Sequence, residues 1–261
     1  MDWFKELYDD FRMRTGFGSI PDAVTAEQVD FLVAELCLYD GAKVLDLFCG
    51  TGRHCVELAK RGFRAVGIEY NGDYLAIAAE KARSAGVSPT FIQGDVRDTD
   101  FGSGYDACII MWASFGYFVD AEDRRVLEKI HAALRPGGRF LIQIKNRDYL
   151  LKRFKDSGQE TVAGVLVRED REFDMLSSRV NVTITRGEPD GPVTRRASWR
   201  MYSAHEMKNI LEDIGFVYVA GYSGPSRKPL TLDTHLMNMI FEKRKCQQPG
   251  GGDAEDRAPH P

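Results

Sequence analysis

The chain has 261 residues, 43% hydrophobic and 28% charged, with a formal net charge of −4. That length fits one α/β domain with additions and can bury a large core, while the acidic balance argues against a nucleic-acid partner, whose phosphates call for a basic face. No apolar run approaches the ~18 residues that span a bilayer, and Met1-Asp-Trp-Phe-Lys-Glu6 lacks the basic-then-apolar order of a secretory signal, so the expectation is a cytoplasmic protein with no membrane partner.

In chain order, residues 1–20 read as an amphipathic helix, with Trp3, Phe4, Leu7, Tyr8 and Phe11 at helical spacing and Gly16 and Gly18 at its end. Thr25-Ala-Glu-Gln28 reads as a capping box that opens a second helix. Strands and helices then alternate. Strands are expected at 43–48, 64–69, 90–93, 107–111 and 139–144, with helices at 51–60, 73–85 and 120–134 between them. Apolar strands each followed by a helix imply a parallel sheet covered on both faces. After a short helix near 149–154 the rhythm changes to three strand-like segments, 162–168, 179–185 and 193–201, read as an antiparallel insertion within residues 148–202. Ser203-Ala-His-Glu206 is a second capping box, opening a helix to Ile214, and strands at 216–221 and 235–241 close the domain. The expected fold is Rossmann-like α/β, a doubly wound, seven-stranded, mostly parallel sheet. It carries the antiparallel insertion and an N-terminal helical cap in a single domain over 1–245, and residues 246–261 read as a disordered tail.

The five cysteines form no C-x-x-C pair and read as reduced thiols. The five histidines form no ligand pair, so no metal is expected. Arg195-Arg196 with Arg200 is the best local basic patch, and a solvated strand face is the preferred reading of it.

Chemistry concentrates in Val44-Leu-Asp-Leu-Phe-Cys-Gly-Thr-Gly-Arg-His54, an apolar strand entering a Gly-x-Gly turn at a helix start. Glycines let the backbone approach a ligand, and the helix N-terminus offers unpaired N–H groups. A dinucleotide loop needs a third glycine where this chain has Cys55, and a P-loop needs Gly-Lys-Ser/Thr, which is absent. Glu69, ending the second strand, can accept both hydroxyls of a ribose.

The loop, with Asp46, Gly50 and Gly52 on its positions, resembles motif I of the class I S-adenosylmethionine-dependent methyltransferases. Glu69 and Gly94-Asp95-Val96 at the next two strand ends extend the resemblance. Ser114-Phe-Gly-Tyr-Phe118, Gly52-Arg-His54, Leu134-Arg-Pro-Gly-Gly-Arg-Phe140, Asn146-Arg-Asp148 and Arg200-Met-Tyr-Ser203 are similar to a group of small bacterial and archaeal methyltransferases thought to act on small molecules. The resemblance implies a cofactor site for S-adenosylmethionine, with S-adenosylhomocysteine as product. In it the loop backbone holds the methionine part, Asp46 organises the loop and reaches the ammonium, and Glu69 takes the ribose. Tyr70 lies against adenine, Asp95 accepts from its amine, the Val96 N–H faces the ring, and Met111 completes the wall. Tyr8 reaches the methionine end from an N-terminal lid. Trp112, Tyr117, Arg200, Tyr202 and His235 are the candidate contacts to a small-molecule acceptor, and no general base is assigned. Gln143 stands where many relatives carry an acid, in a strand expected to be remote from the reaction.

Neither the Asn/Asp-Pro-Pro-Tyr/Phe motif of amino-methylating DNA enzymes nor a Pro-Cys nucleophile follows the fourth strand. The competing readings are an RNA or protein methyltransferase and a protein that binds the cofactor without catalysis. The insertion can serve as lid or as the interface of a homodimer.

Overall fold

The structure, a computed structural model, describes residues 2–188 and 191–245. The expected disordered tail at 246–261 lies outside the described residues. Strands β1 (Lys43–Leu47), β2 (Arg64–Glu69), β3 (Thr90–Gln93), β4 (Tyr105–Ile110), β5 (Leu134–Lys145), β10 (Phe216–Tyr222) and β11 (Leu236–Lys243) make one sheet, in the order β10-β11-β5-β4-β1-β2-β3. Pairings from β5 to β3 are parallel, and β11 runs antiparallel to both β5 and β10.

The two-residue strand period sorts the core. Leu45, Leu47, Ile110, Phe140 and Ile142 face one side, with Val126, Leu127 and Ile130 of α6 (Asp120–Ala133) and Met207 and Leu211 of α8 (Ala204–Ile214). Val44, Ala65, Ile109 and Leu141 face the other, with Val29 and Leu32 of α3 (Asp22–Glu35) and Leu58 of α4 (Arg53–Lys60). Helix α5 (Gly72–Ser84) connects β2 to β3. Each fully buried Leu or Ile contributes ~2 kcal/mol. Among the described residues no helix is long and apolar enough to cross a membrane.

Three local readings change. The N-terminal segment is two helices, α1 (Trp3–Leu7) and α2 (Asp10–Thr15), followed by a 3-10 turn at Phe17–Ser19. The break falls at Tyr8-Asp9 because the Asp9 carboxylate caps α2, accepting from the Arg12 N–H. Helix α3 starts at Asp22, one turn before the expected box, and the Thr25 and Gln28 side chains turn instead to Arg53. The insertion, which follows the short helix α7 (Arg147–Lys152), is a separate sheet of four antiparallel strands. These are β6 (Ser157–Val162), β7 (Val165–Asp174), β8 (Arg179–Arg186) and β9 (Val193–Arg200). Its edge strand β6, Ser-Gly-Gln-Glu-Thr-Val, lacks the apolar alternation that marks the others. The sheet's apolar face, with Val167, Val180, Val182, Ile184 and Ala197, packs on Leu7, Trp3, Tyr8 and Phe11. Arg186 ties the same face to Asp9 at 2.6 Å. The insertion therefore packs its apolar face on α1 and α2.

The fold also buries an acid away from the cofactor loop. Asp123 of α6 is 1% exposed and accepts from the Tyr202 hydroxyl at 3.0 Å. Burial outweighs that bond and pushes its carboxyl up to about 7. A folded-state value above the unfolded one means the native state holds the proton longer. The associated stability is complete below about pH 4 and is lost as pH rises to about 7. Asp123→Asn removes this dependence. Urea melts at pH 5 and pH 8 should show the wild type falling relative to the variant by at most about 3 kcal/mol. A difference independent of pH would show that Asp123 ionises normally.

Candidate active site

Strand order reverses between β1 and β4, and open α/β sheets bind ligands beside such a reversal, beyond the strand C-termini. The cleft there is lined by Tyr8, Asp46, Phe48, Gly50, Arg53, Glu69, Tyr70, Tyr74, Met111, Trp112, Ser114 and Tyr117, among others. Its cavity volume is about 60 Å³.

The β1–α4 loop is built from left-handed backbone at Phe48 (φ 58°), Gly50 (φ 55°) and Gly52 (φ 69°). Gly50 lines the cleft and Gly52 does not. A Cβ on Gly52 would lie 2.7 Å from the Ala78 Cβ and 2.8 Å from the Phe91 Cζ, so this glycine serves the packing of α4 on α5 and β3. Cys55, in the place of a dinucleotide fold's third glycine, fits because β2 has Gly67 opposite it. A Cβ on Gly67 would come within 2.9 Å of the Cys55 Sγ.

Two acids face this loop. Asp46 shares the Val44 face of β1, is 1% exposed, and accepts from the Cys55 thiol at 3.4 Å. Burial raises its carboxyl to about 7. Glu69 sits at the β2 terminus. Its Oε2 accepts from the Gly50 N–H at 3.1 Å and its Oε1 from the Asn71 N–H at 3.0 Å. Each oxygen keeps lone-pair capacity for a further donor. Burial raises the Glu69 carboxyl, opposed by those backbone bonds.

After β4 the chain takes two consecutive left-handed non-glycine residues, Trp112 (φ 61°) and Ala113 (φ 55°). Such strain persists where surroundings enforce it. Here the buried Gln143 Oε1 accepts from the Trp112 N–H at 3.0 Å, and Gln143 Nε2 donates to Asn238 at 3.0 Å. Gln143, in a strand expected to be remote from the reaction, thus supports a residue of the cleft. Gly116 (φ 84°) lets the following loop meet β9, where the Arg200 N–H donates to the Gly116 carbonyl at 2.8 Å.

The N-terminal helices cover the cleft. The Tyr8 and Tyr117 hydroxyls are 2.7 Å apart, the Tyr74 hydroxyl donates to the Tyr8 carbonyl at 2.6 Å, and the Tyr70 hydroxyl donates to the Phe4 carbonyl at 3.3 Å. Beside Glu69 and Tyr70 a second, narrower pocket is walled by Gly94, Asp95, Val96, Phe118 and the Phe4 ring, which lies edge-on to Tyr70 at 5.4 Å. The space left takes about one water. Arg97 Nη2 donates to Asp95 at 2.7 Å and to Asp2 at 3.0 Å, fastening α1 to this pocket.

The structure therefore brings Tyr8, Asp46, Gly50, Glu69, Tyr70, Met111, Trp112 and Tyr117 to one cleft, with Asp95 and Val96 in the adjoining pocket. It does not bring the other three acceptor candidates there. Arg200 bonds Asp120, Glu206 and the Met201 carbonyl. The Tyr202 hydroxyl is spent on Asp123. His235 is exposed and stacks beside Tyr149 at 5.1 Å. Arg53, His54, Tyr74 and Ser114 line the cleft without having been singled out as ligand contacts. Helical periodicity places Tyr74 only on a buried face, and the Gly52-Arg-His54 motif marks Arg53 without giving it a role. Among the described residues no group of His, Cys, Asp and Glu could hold a metal.

A left-handed Gly-x-Gly turn at the switch point, an acid ending β2 and an acid after β3 are the parts of a nucleoside-binding Rossmann-like site. A family model described as a methyltransferase domain matches residues 44–138. The putative methyltransferase YqeM of Bacillus subtilis (strain 168) is 30% identical over 190 residues, covering 70% of this chain and 76% of that one. The chain belongs to the class I methyltransferase family. The glycine/sarcosine N-methyltransferase of Halorhodospira halochloris is 32% identical over 139 residues, 52% of each chain. The chain spans about half the length of several curated relatives it matches. The CcbJ methyltransferase of Streptomyces caelestis shares the fold, with a TM-score of 0.76 at 19% identity over 90% of this chain and 97% of that one.

Proposed function

We propose that this protein transfers a methyl group from S-adenosylmethionine to a nitrogen, oxygen or carbon atom of a small molecule, an amine nitrogen being favoured, and releases S-adenosylhomocysteine. The observation that carries the reading is the Glu69 carboxylate. It is pinned by two backbone N–H groups at the rim of the cleft and retains lone pairs for two hydroxyls. The residues present fit the cofactor: Glu69 for the ribose, Asp46 beside the loop for the ammonium, Gly50 for close backbone approach, and Asp95 and Val96 for the base. When bound, the cofactor supplies an electrophilic methyl group on a sulfonium.

The chain's own residues orient the acceptor and exclude water. Trp112, held by Gln143, and the Tyr8–Tyr117 pair wall the acceptor side. Burial raises both of those tyrosines, and burial lowers the ring of His54, which bonds Gln28 at 3.1 Å. None is set to remove a proton at neutral pH, which suits an acceptor that brings its own lone pair. The relative named for glycine and sarcosine N-methylation supports an amine.

Calorimetric titration with S-adenosylhomocysteine tests the cofactor. Glu69→Ala should weaken binding tenfold or more while the variant remains folded, as expected for lost charged hydrogen bonds. Unchanged affinity would remove the reading. Turnover across an amine panel then separates an enzyme from a protein that only binds the cofactor.

A further inference from the structure

Arg53 is a half-buried cation with no carboxylate in ion-pair contact. It opens α4 directly after Gly52, and its side chain lines the cleft. Nη1 donates to two neutral oxygens of α3, Thr25 Oγ1 at 3.1 Å and Gln28 Oε1 at 2.6 Å. These bonds fix the direction of the guanidinium. Nη2 is buried and has no hydrogen-bond partner. The flat of the group lies 5.6 Å from the Trp112 ring. Burial lowers its pKa to about 10, so it remains charged at neutral pH.

A buried donor left unmet is costly, and a preoriented guanidinium fork is the side chain best matched to a carboxylate. We infer that Arg53 is the carboxylate anchor of this site and holds the α-amino-acid end of the sulfonium cofactor. The inference rests on the reading proposed above. Asp46 lines the same cleft, so one wall presents a carboxyl and a guanidinium to a zwitterion, the carboxyl for the ammonium and the guanidinium for the carboxylate. This complementarity favours the cofactor's tail over an acceptor carboxylate as the occupant. It also gives the α3 N-terminus a role, because Thr25 and Gln28 hold the anchor in place.

The test compares S-adenosylhomocysteine with 5′-methylthioadenosine, which keeps the nucleoside and sulfur and lacks the amino-acid tail. The full-length wild type should bind S-adenosylhomocysteine at least tenfold more tightly, a comparison that needs no variant. Arg53→Met should weaken S-adenosylhomocysteine about tenfold or more and leave 5′-methylthioadenosine within about twofold. Arg53→Lys, keeping charge without the fork, should fall between. Equal wild-type affinities would overturn the anchor while leaving the nucleoside site intact. Parallel losses of both ligands in Arg53→Met would assign Arg53 to loop support instead, and unchanged S-adenosylhomocysteine affinity would also overturn the inference. Failure of the wild type to bind either ligand would remove the proposed cofactor itself.

Discussion

Phe4→Ala should tighten nucleoside binding by about 10- to 100-fold. Phe4 is 4% exposed, and its ring walls, with Glu69, Tyr70, Asp95, Val96 and Phe118, the narrow pocket proposed above for the base of the cofactor. A purine does not fit that space, so the closed form must open before the ligand seats. Apparent affinity is the intrinsic affinity reduced by the fraction of open molecules. Truncating a buried Phe removes about 3–5 kcal/mol of packing, charged here to the docking of α1, so the open fraction approaches one. The association rate constant for S-adenosylhomocysteine, measured by stopped flow, should rise with the affinity. Unchanged or weaker binding would show that α1 is no obstacle. Deleting residues 1–18 outright is the less informative experiment, because it removes Tyr8, which lines the cleft, together with Phe4.

Gly52→Val should destabilise the fold by about 2–6 kcal/mol. A β-branched residue at φ 69° is strained by about 1–3 kcal/mol. Its Cβ would also lie 2.7 Å from the Ala78 Cβ and within 2.9 Å of two Phe91 ring carbons, an overpacking cost of about 1–3 kcal/mol. A drop in the urea midpoint checks this. A midpoint like that of the wild type would mean that α5 and β3 yield more easily than their packing indicates. Because that Cβ points into the protein, ligand binding lost in this variant reports on the fold, whereas Glu69→Ala reports on the cofactor.

Much of the architecture was legible in the amino-acid order because it rests on short-range rules. Strand β2 at 64–69 and strand β3 at 90–93 match to the residue, and the Ser203 cap is present, its hydroxyl accepting from the Glu206 N–H at 3.2 Å, while the Glu206 carboxylate turns to Arg200 instead of closing the box. Motif spacing placed Asp46, Gly50 and Glu69 together, since each ends or follows a strand of one parallel sheet and the loops after such strands converge on one edge. The break between α1 and α2 was missed because helical periodicity continues through Tyr8 while Asp9 starts a new cap. Thr25 was misread because a capping sequence one turn inside a helix is still a capping sequence.

The order of residues by itself determined the element types, the parallel sheet and the loop that defines the family, each set by contacts within a few residues or by the strand and helix periods. Tertiary structure alone decided which polar groups remain unspent. Arg200 and Tyr202 looked available and are consumed by Asp120, Glu206 and Asp123. Arg53 looked ordinary and keeps an unmet donor over the cleft, because its partners Thr25 and Gln28 come from a helix 25 or more positions earlier. Gln143 became part of the site only when β5 was laid beside β4, within reach of Trp112. Whether a side chain is free depends on which distant group reaches it first, and only the packed chain determines that.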